Sequence, residues 1–182
     1  MEEAPFGSET FILKNGAPVT IRPIRPDDAP RLQALLARLS QESIFYRFLE
    51  YLKTLTPEQA RALATVNYQT RMALVAAIEH LGEELVIGVA RYSIVHPDRP
   101  DMAEVGIVVE DRFQNQGLGS HLLDLLTDYA RNHGIRYFTG AISVQNSRIL
   151  RFIRRSGLPT ERRLDLGTWE IEVKLDEGTT DN

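Results

Sequence analysis

The 182-residue chain contains no cysteine, which excludes a disulfide framework, a thiol nucleophile and thiolate metal ligands, and fits a reducing compartment. It has no apolar run of the roughly 20 residues that a membrane-spanning helix needs. Its acidic opening, Met1-Glu2-Glu3, lacks the basic region of a secretory signal. Positive charge in bulk is missing as well. A formal net charge of -4 offers no general attraction to nucleic acid or to an acidic membrane, so a site for a polyanion has to be local. The four histidines, His80, His96, His121 and His133, show no metal-ligand spacing. These absences lead us to expect a cytoplasmic protein with no metal, no nucleic-acid partner and no membrane contact. What is present, 43% hydrophobic and 25% charged residues, is the composition of a globular domain long enough to bury a sizeable core. There is no internal repeat or linker. The expected organisation is an N-terminal leader and first hairpin strand over 1–17, one domain over 18–175 and a flexible polar tail over 176–182.

The stretch from Glu104 to His133 organises the rest. An apolar strand over 105–109 ends in a polar turn, which delivers Gln114-Asn115-Gln116-Gly117-Leu118-Gly119-Ser120 to the start of an amphipathic helix. Two glycines two positions apart let main-chain N–H groups approach a ligand with no Cβ in the way. The helix behind them adds unpaired N–H groups and the positive end of its dipole, a combination suited to phosphate. Other glycine signatures do not fit. A Walker loop needs Gly-Lys-Ser/Thr, which is absent, and a dinucleotide fingerprint would need glycine where Leu122 stands. On their own, Gly117 and Gly119 read equally as a phosphate cradle or as a tight turn into a helix.

The remaining elements are read from periodicity and capping. Asn15-Gly16 between apolar runs over 10–14 and 17–22 predicts an opening hairpin with a type I′ turn. Pro26-Asp27-Asp28 stops the strand and offers an N-cap to a helix with Leu32, Leu35, Leu36 and Leu39 on one face. A second helix follows Ser40. A third begins at Thr56-Pro57-Glu58-Gln59, a capping box with proline at N1. Strands over 72–79 and 84–95 meet at Gly82, and the strand over 103–109 continues them as an antiparallel meander, its near-continuous apolar run implying two covered faces. The helix after the glycines buries Leu118, Leu122, Leu125, Leu126 and Tyr129 and ends at Gly134. A strand over 136–142 then completes a βαβ crossover, hence a local parallel pair. A last helix turns Ile149, Leu150 and Ile153 inward, and two short strands flank Gly167.

Gln114, Gly117 and Gly119 resemble motif A, Q/R-x-x-G-x-G/A, of the GNAT superfamily of N-acetyltransferases. The order of elements is similar to that fold over roughly residues 18–175, and Asn146, with Gly157 eleven residues on, resembles motif B. The segments over 20–29, 39–43 and 103–105 resemble, more narrowly, the acetyltransferase module of bacterial Pat-type protein lysine acetyltransferases. Such modules often come fused to an acyl-CoA synthetase-like or cyclic-nucleotide-binding domain. This chain carries neither, so regulation through one is expected to be absent or supplied in trans. The resemblance implies an α/β (α+β) fold with a mixed, mostly antiparallel sheet, the βαβ crossover at motif A and helices on both faces. It implies acetyl-CoA as the acyl donor. The diphosphate would lie on the amides of Gln114, Asn115, Gln116, Gly117, Leu118, Gly119 and Ser120, and the pantetheine arm along Ile107, Val108 and Val109. Asn146 would either bond that arm or cap its helix.

An amine must be neutral to attack a thioester, and a lysine ammonium has a pKa near 10.4, so a base is required. Glu104 is the candidate: its position matches the general base of the Pat-type modules, and partial burial at the strand entry would raise its pKa. Glu110 is the rival, disfavoured because an anion beside the phosphate turn would repel the cofactor unless it pointed away. A bulge freeing the N–H of Val108 or Val109 would supply an oxyanion donor. Many relatives carry a tyrosine seven residues after the motif B asparagine as general acid; here that position is Ile153. Two clusters have plainer readings: Phe45, Tyr46, Phe48 and Tyr51 as a core stripe, and Arg148, Arg151 and Arg155 as a solvated helix face. The expected activity is acetyl transfer to a primary amine, most like a protein lysine. The alternatives are a small-amine acetyltransferase and a non-catalytic acyl-CoA sensor, and the oligomeric state stays open between monomer and homodimer.

Overall fold

The computed structural model describes residues 7–175, so the expectations placed on residues 1–6 and on the tail over 176–182 lie outside the described residues. Chain order runs β1 (Glu9–Ile12), β2 (Pro18–Pro23), α1 (Ala29–Arg38), α2 (Gln41–Phe48), α3 (Pro57–Ala64), β3 (Arg71–His80), β4 (Glu83–Ser93), β5 (Met102–Val109), α4 (Leu118–Asn132), β6 (Tyr137–Ser143), α5 (Ser147–Ser156), β7 (Thr160–Asp165) and β8 (Thr168–Lys174). The strands form one sheet in the order β1-β2-β3-β4-β5-β6-β8-β7, mixed and mostly antiparallel. Among the described residues its one parallel contact is β5 with β6, across the α4 crossover.

Side chains on the two faces of the sheet build two cores. On one face, Leu118, Leu122, Leu126 and Tyr129 of α4 pack on Ile21, Met72, Leu74, Ile87 and Tyr92. On the other, α1 (Leu32, Leu35, Leu36), Ile44 of α2 and Ala60 and Ala64 of α3 cover Ala73, Val75, Val86 and Val89. Leu118, Leu122 and Leu126 are fully buried, so truncating any one to Ala would cost roughly 2–5 kcal/mol.

Side-chain caps explain where α2 and α3 begin. Ser40 accepts from the N–H of Ser43. Thr56 and Gln59 form the reciprocal capping box that their spacing predicts. Two local expectations change. Only Gly16 of the first turn has positive φ, +88°, so the hairpin closes through Leu13 N–H to Ala17 O (2.9 Å) and not through a type I′ turn, which needs positive φ at both central residues. Asp28 makes no cap bond to α1; its carboxylate is drawn inward by Arg22, at 2.7 and 2.8 Å.

The feature that creates a site is the β5–β6 contact. It covers only Met102 with Tyr137, Ala103 with Phe138 and Glu104 with Thr139. Beyond Glu104 the pairing stops, and Val105, Gly106, Ile107 and Val108 are only half-buried, where the apolar run implied two covered faces. Likewise no residue of α5 is buried, because this helix overhangs a cleft instead of sealing the core.

Candidate active site

The β4–β5 register is continuous from Ser93 opposite Glu104 to Gly88 opposite Val109, and the next N–H, of Glu110, donates to Ile87 O (2.7 Å). Alternate residues of an antiparallel strand face the same neighbour. Glu104, Gly106 and Val108 therefore spend their main-chain groups on β4, whereas Val105, Ile107 and Val109 turn theirs toward the opened β6 side. The bulge expected near Val108 is not found; the register shift lies at Ala76/Ala77, between β3 and β4. Separation of β5 from β6 exposes main-chain groups in its place.

The turn after β5 continues this line. Asn115 (φ +61°) and Gly117 (φ +90°) are left-handed, a geometry that gathers successive N–H groups on one side. Among the described residues, no protein acceptor meets the N–H groups of Asn115, Gln116, Gly117, Leu118, Gly119 or Ser120. A Cβ built at Gly119 would meet only Ile107 Cδ1 (3.7 Å) and Val109 Cγ2 (3.8 Å), so the surface over this glycine is open. The Gln114 side chain faces inward: its Nε2 donates to Val109 O (2.9 Å) and Ser43 Oγ (3.0 Å), and its Oε1 accepts from Arg148. Gln114 thus ties β5, α2 and α5 to the turn. Asp111 holds the same N-terminal end of α2, accepting from Ser40 N–H (2.9 Å), Ser40 Oγ (2.6 Å) and Ser43 Oγ (2.8 Å). Burial would raise the Asp111 pKa, but these bonds hold it below the usual carboxylate range.

Two cavities open on these groups. One, of about 370 Å³, is lined by Val109, Asn115, Gly117, Gly119, Ser120 and Arg148, among others. The second, of about 920 Å³, runs between β5 and β6 beneath α5, with Glu104, Gly106, Thr139 and Ile153 on its walls. Tyr46, Arg47, Ile107 and Asn146 line both. A ligand bound on the amides of the first has a continuous path to Glu104 in the second. Among the described residues, no group of three or more His, Asp or Glu side chains is placed to hold a metal.

A family profile described as the acetyltransferase (GNAT) domain matches residues 19–159. The chain belongs to the GNAT acetyltransferase family. It is similar to the acetyltransferase PA5475 of Pseudomonas aeruginosa, at 32% identity over 134 residues, 74% of this chain and 71% of the relative. It is also similar to the acetyltransferase Pat of Mycolicibacterium smegmatis, 29% identical over 163 residues, 90% of this chain but 47% of that protein. The chain spans about half the length of that Pat. Among solved structures, the GNAT domain of S. lividans PAT superposes with a TM-score of 0.84 at 26% identity, covering 95% of this chain and 99% of that one. The donor of a GNAT acetyltransferase is acetyl-CoA, and the free amides, the small residue at Gly119 and the length of the cleft fit that donor.

Within this GNAT site, the residues singled out from sequence fall in different places. Ile107, Val108, Val109, Gln114, Asn115, Gly117, Gly119, Ser120 and Asn146 line the smaller cavity; Leu118 is buried, and Gln116 lies in the same turn. Asn146 caps α5, accepting from Ile149 N–H (3.3 Å). Glu104 is exposed, not partly buried, because the strand pairing ends at this residue. Glu110 is 1% exposed and pairs with Arg38 (2.8 Å) and Arg112 (2.5 Å), which turns its charge away from the cleft. Arg151 and Arg155 join Arg148 on the rim of the smaller cavity. The aromatic stripe divides: Phe48 packs on the α1–α3 core, Tyr51 is 70% exposed, and Tyr46 crosses the cleft to Gln145 O (3.2 Å). Sequence reasoning missed Arg47 and Gly106. An isolated glycine inside a strand signals close approach of another group, and that signal was present in residues 105–109.

Proposed function

We propose that the protein transfers the acetyl group of acetyl-CoA to a primary amine, a protein lysine side chain, by direct attack within a ternary complex. The observation that carries this reading is the set of unpaired main-chain N–H groups of residues 115–120, followed by those of Ile107 and Val109 on the opened side of β5, which leads to a carboxylate, Glu104, at the point where β5 and β6 part. The amides from Asn115 to Ser120 and the N-terminus of α4 hold the diphosphate, and residues 107–109 hold the pantetheine arm. Val109 and Ile107 N–H groups face the edge along which the thioester lies, and can donate to the oxygen that gains charge during attack.

Glu104 takes the proton from the acceptor ammonium, directly or through one water. The neutral nitrogen then forms the C–N bond, the C–S bond breaks with the electron pair leaving on sulfur, and the second proton that the nitrogen sheds passes to that sulfur, directly or through water. With a thiol pKa near 8.5, that thiolate needs little acid assistance, in keeping with Ile153 at the family's tyrosine position. Exposure of Glu104 at the mouth of a wide cleft suits an acceptor carried on a protein surface. The cysteine-free composition fits a cytoplasmic setting, and no helix among the described residues is long and apolar enough to cross a membrane.

Glu104→Gln tests the base. Turnover should fall by roughly a hundredfold or more, while calorimetric affinity for acetyl-CoA stays within error of the parent. Unchanged turnover at saturating substrates would remove Glu104 from the mechanism. Thiol release that never depends on an amine, across peptides and small amines, would favour a sensor in place of an enzyme.

A further inference from the structure

Arg47 of α2 has no counterpart in the mechanism above. Its guanidinium lies across β5 at Gly106: a Cβ built on that glycine would stand 2.6 Å from Arg47 Cζ and 2.8 and 2.9 Å from its terminal nitrogens. Gly106 therefore provides the seat in which the guanidinium rests. Arg47 stacks on Phe48 (4.9 Å to the ring centroid), yet it forms no hydrogen bond or ion pair among the described residues. Both cavities include it in their walls. Burial lowers its pKa, with Glu104 the group that opposes the shift.

The surroundings make this cation more conspicuous. Arg91 stands opposite Gly106 in the β4–β5 register, and its one bond is to Leu63 O (3.3 Å). Burial, followed by the charges of Arg47 and Arg71, lowers the Arg91 pKa to about 10. Three guanidinium groups thus share one end of this sheet face with a single carboxylate of β5, Glu104. The other acids of the larger cavity, Asp124 and Asp128, belong to α4 on the opposite face. A guanidinium with five donors, partly desolvated and unpaired, is completed by a planar anion that accepts from two of them.

We propose that Arg47 is the seat for a carboxylate on the acceptor, so that the protein selects amines with a carboxylate close by. The argument for acceptor over acyl donor is one of faces. Glu104 and Gly106, two residues apart on a strand, project to the same face roughly 7 Å apart, and Arg47 lies on that face. The free main-chain groups that suit the thioester point instead along the sheet edge. An acceptor whose amine sits at Glu104 thus carries its carboxylate to Arg47. Such a carboxylate comes either from an acidic residue beside a target lysine or from the α-carboxylate of a free amino acid.

This inference rests on the acetyltransferase reading above, and binding separates the two because it needs no turnover. The CoA-loaded protein is titrated with four probes: the capped peptides Ala-Asp-Lys-Asp-Ala and Ala-Asn-Lys-Asn-Ala, free lysine, and lysinamide. The acidic member of at least one pair should bind roughly ten- to a hundredfold more tightly than its neutral partner. Preference within the peptide pair assigns the carboxylate to a protein acceptor; preference within the lysine pair assigns it to an amino acid. In Arg47→Met the favoured probe should fall to the level of its neutral partner, and Arg47→Lys should recover part of the preference. Gly106→Ala, which moves only the flexible end of Arg47, should mimic the loss, with a circular dichroism melt as the check on folding. Glu104→Gln should keep the preference while losing turnover. Equal binding within both pairs, no binding by any probe, or a preference that survives Arg47→Met would overturn the proposal. Unchanged turnover in Glu104→Gln with the preference intact would instead overturn only the base assignment.

Discussion

Arg22 and Asp28 show how a charged pair can be structural even next to an active face. Both are buried, at 4% and 0% exposure. The hydrogen bond to Asp28 is the main reason that the Arg22 pKa rises. Burial alone would raise the Asp28 pKa, but bonds from Arg22 and from the Arg25 N–H hold it below its ordinary value. Arg22 also reaches Glu84, with the distal Arg31 nearby. Because the folded pKa of Asp28 lies below the unfolded value of about 3.9, its contribution is complete above that pH and is lost as pH falls through the folded pKa. Asp28→Asn leaves Arg22 short of a charge and should cost about 3 kcal/mol at pH 7. Its urea midpoint should also vary less than that of the parent as the pH falls below about 4. The residue-level difficulty of reading a sequence is plain in this pair and in Glu110. A carboxylate six residues from an arginine, or two from another, looks solvated on paper, and only the packed chain shows whether water or a guanidinium meets it.

At the level of elements, the turn from β5 into α4 carries the ligand argument, and its two glycines do different work. Gly117 has φ +90°, so any side chain there would be strained whatever bound to it. Gly119 lies within α4, where a Cβ meets nothing closer than 3.7 Å. Gly119→Ala should therefore leave the fold as stable as the parent or up to about 1 kcal/mol more so, while covering the amides that face the diphosphate. The expected outcome is an unchanged or raised melting temperature together with acetyl-CoA affinity weakened roughly tenfold or more, since backbone approach is what glycine permits there. If affinity held, the diphosphate would lie elsewhere. The capping box at Thr56, the α4 stripe and the strand–helix–strand order were all legible in sequence because each depends on neighbours within a few residues. The turn at Asn15-Gly16 was misread because the same dipeptide serves more than one loop length.

For the whole molecule, the site depends on how few residues join β5 to β6. Three residue pairs hold the parallel contact, and the main-chain groups past them have no partner across the gap until a ligand fills it. Acetyl-CoA should therefore act as a missing strand. At a free concentration of a hundred times Kd it should stabilise the fold by about 2.7 kcal/mol, a melting shift of roughly 5–10 °C for a chain of this size. Differential scanning calorimetry checks this, and hydrogen exchange should slow at residues 105–109 on addition of ligand. Glu104→Gln should show the same shift, because the base does not hold the donor.

Local sequence by itself determined the elements, their order and the glycine turn into α4, since periodicity, capping and glycine placement act over one or two turns of chain. It also singled out Glu104, by resemblance. Only the tertiary structure decided that β5 and β6 separate after Glu104, that this leaves Glu104 in solvent and the amides of Ile107 and Val109 free, and that Arg38 and Arg112 withdraw Glu110 from the cleft. It alone laid Arg47 over Gly106, 59 residues away along the chain. The physical reason is that strand separation, charge pairing and burial are set by which distant segments meet, and no short-range pattern encodes those meetings.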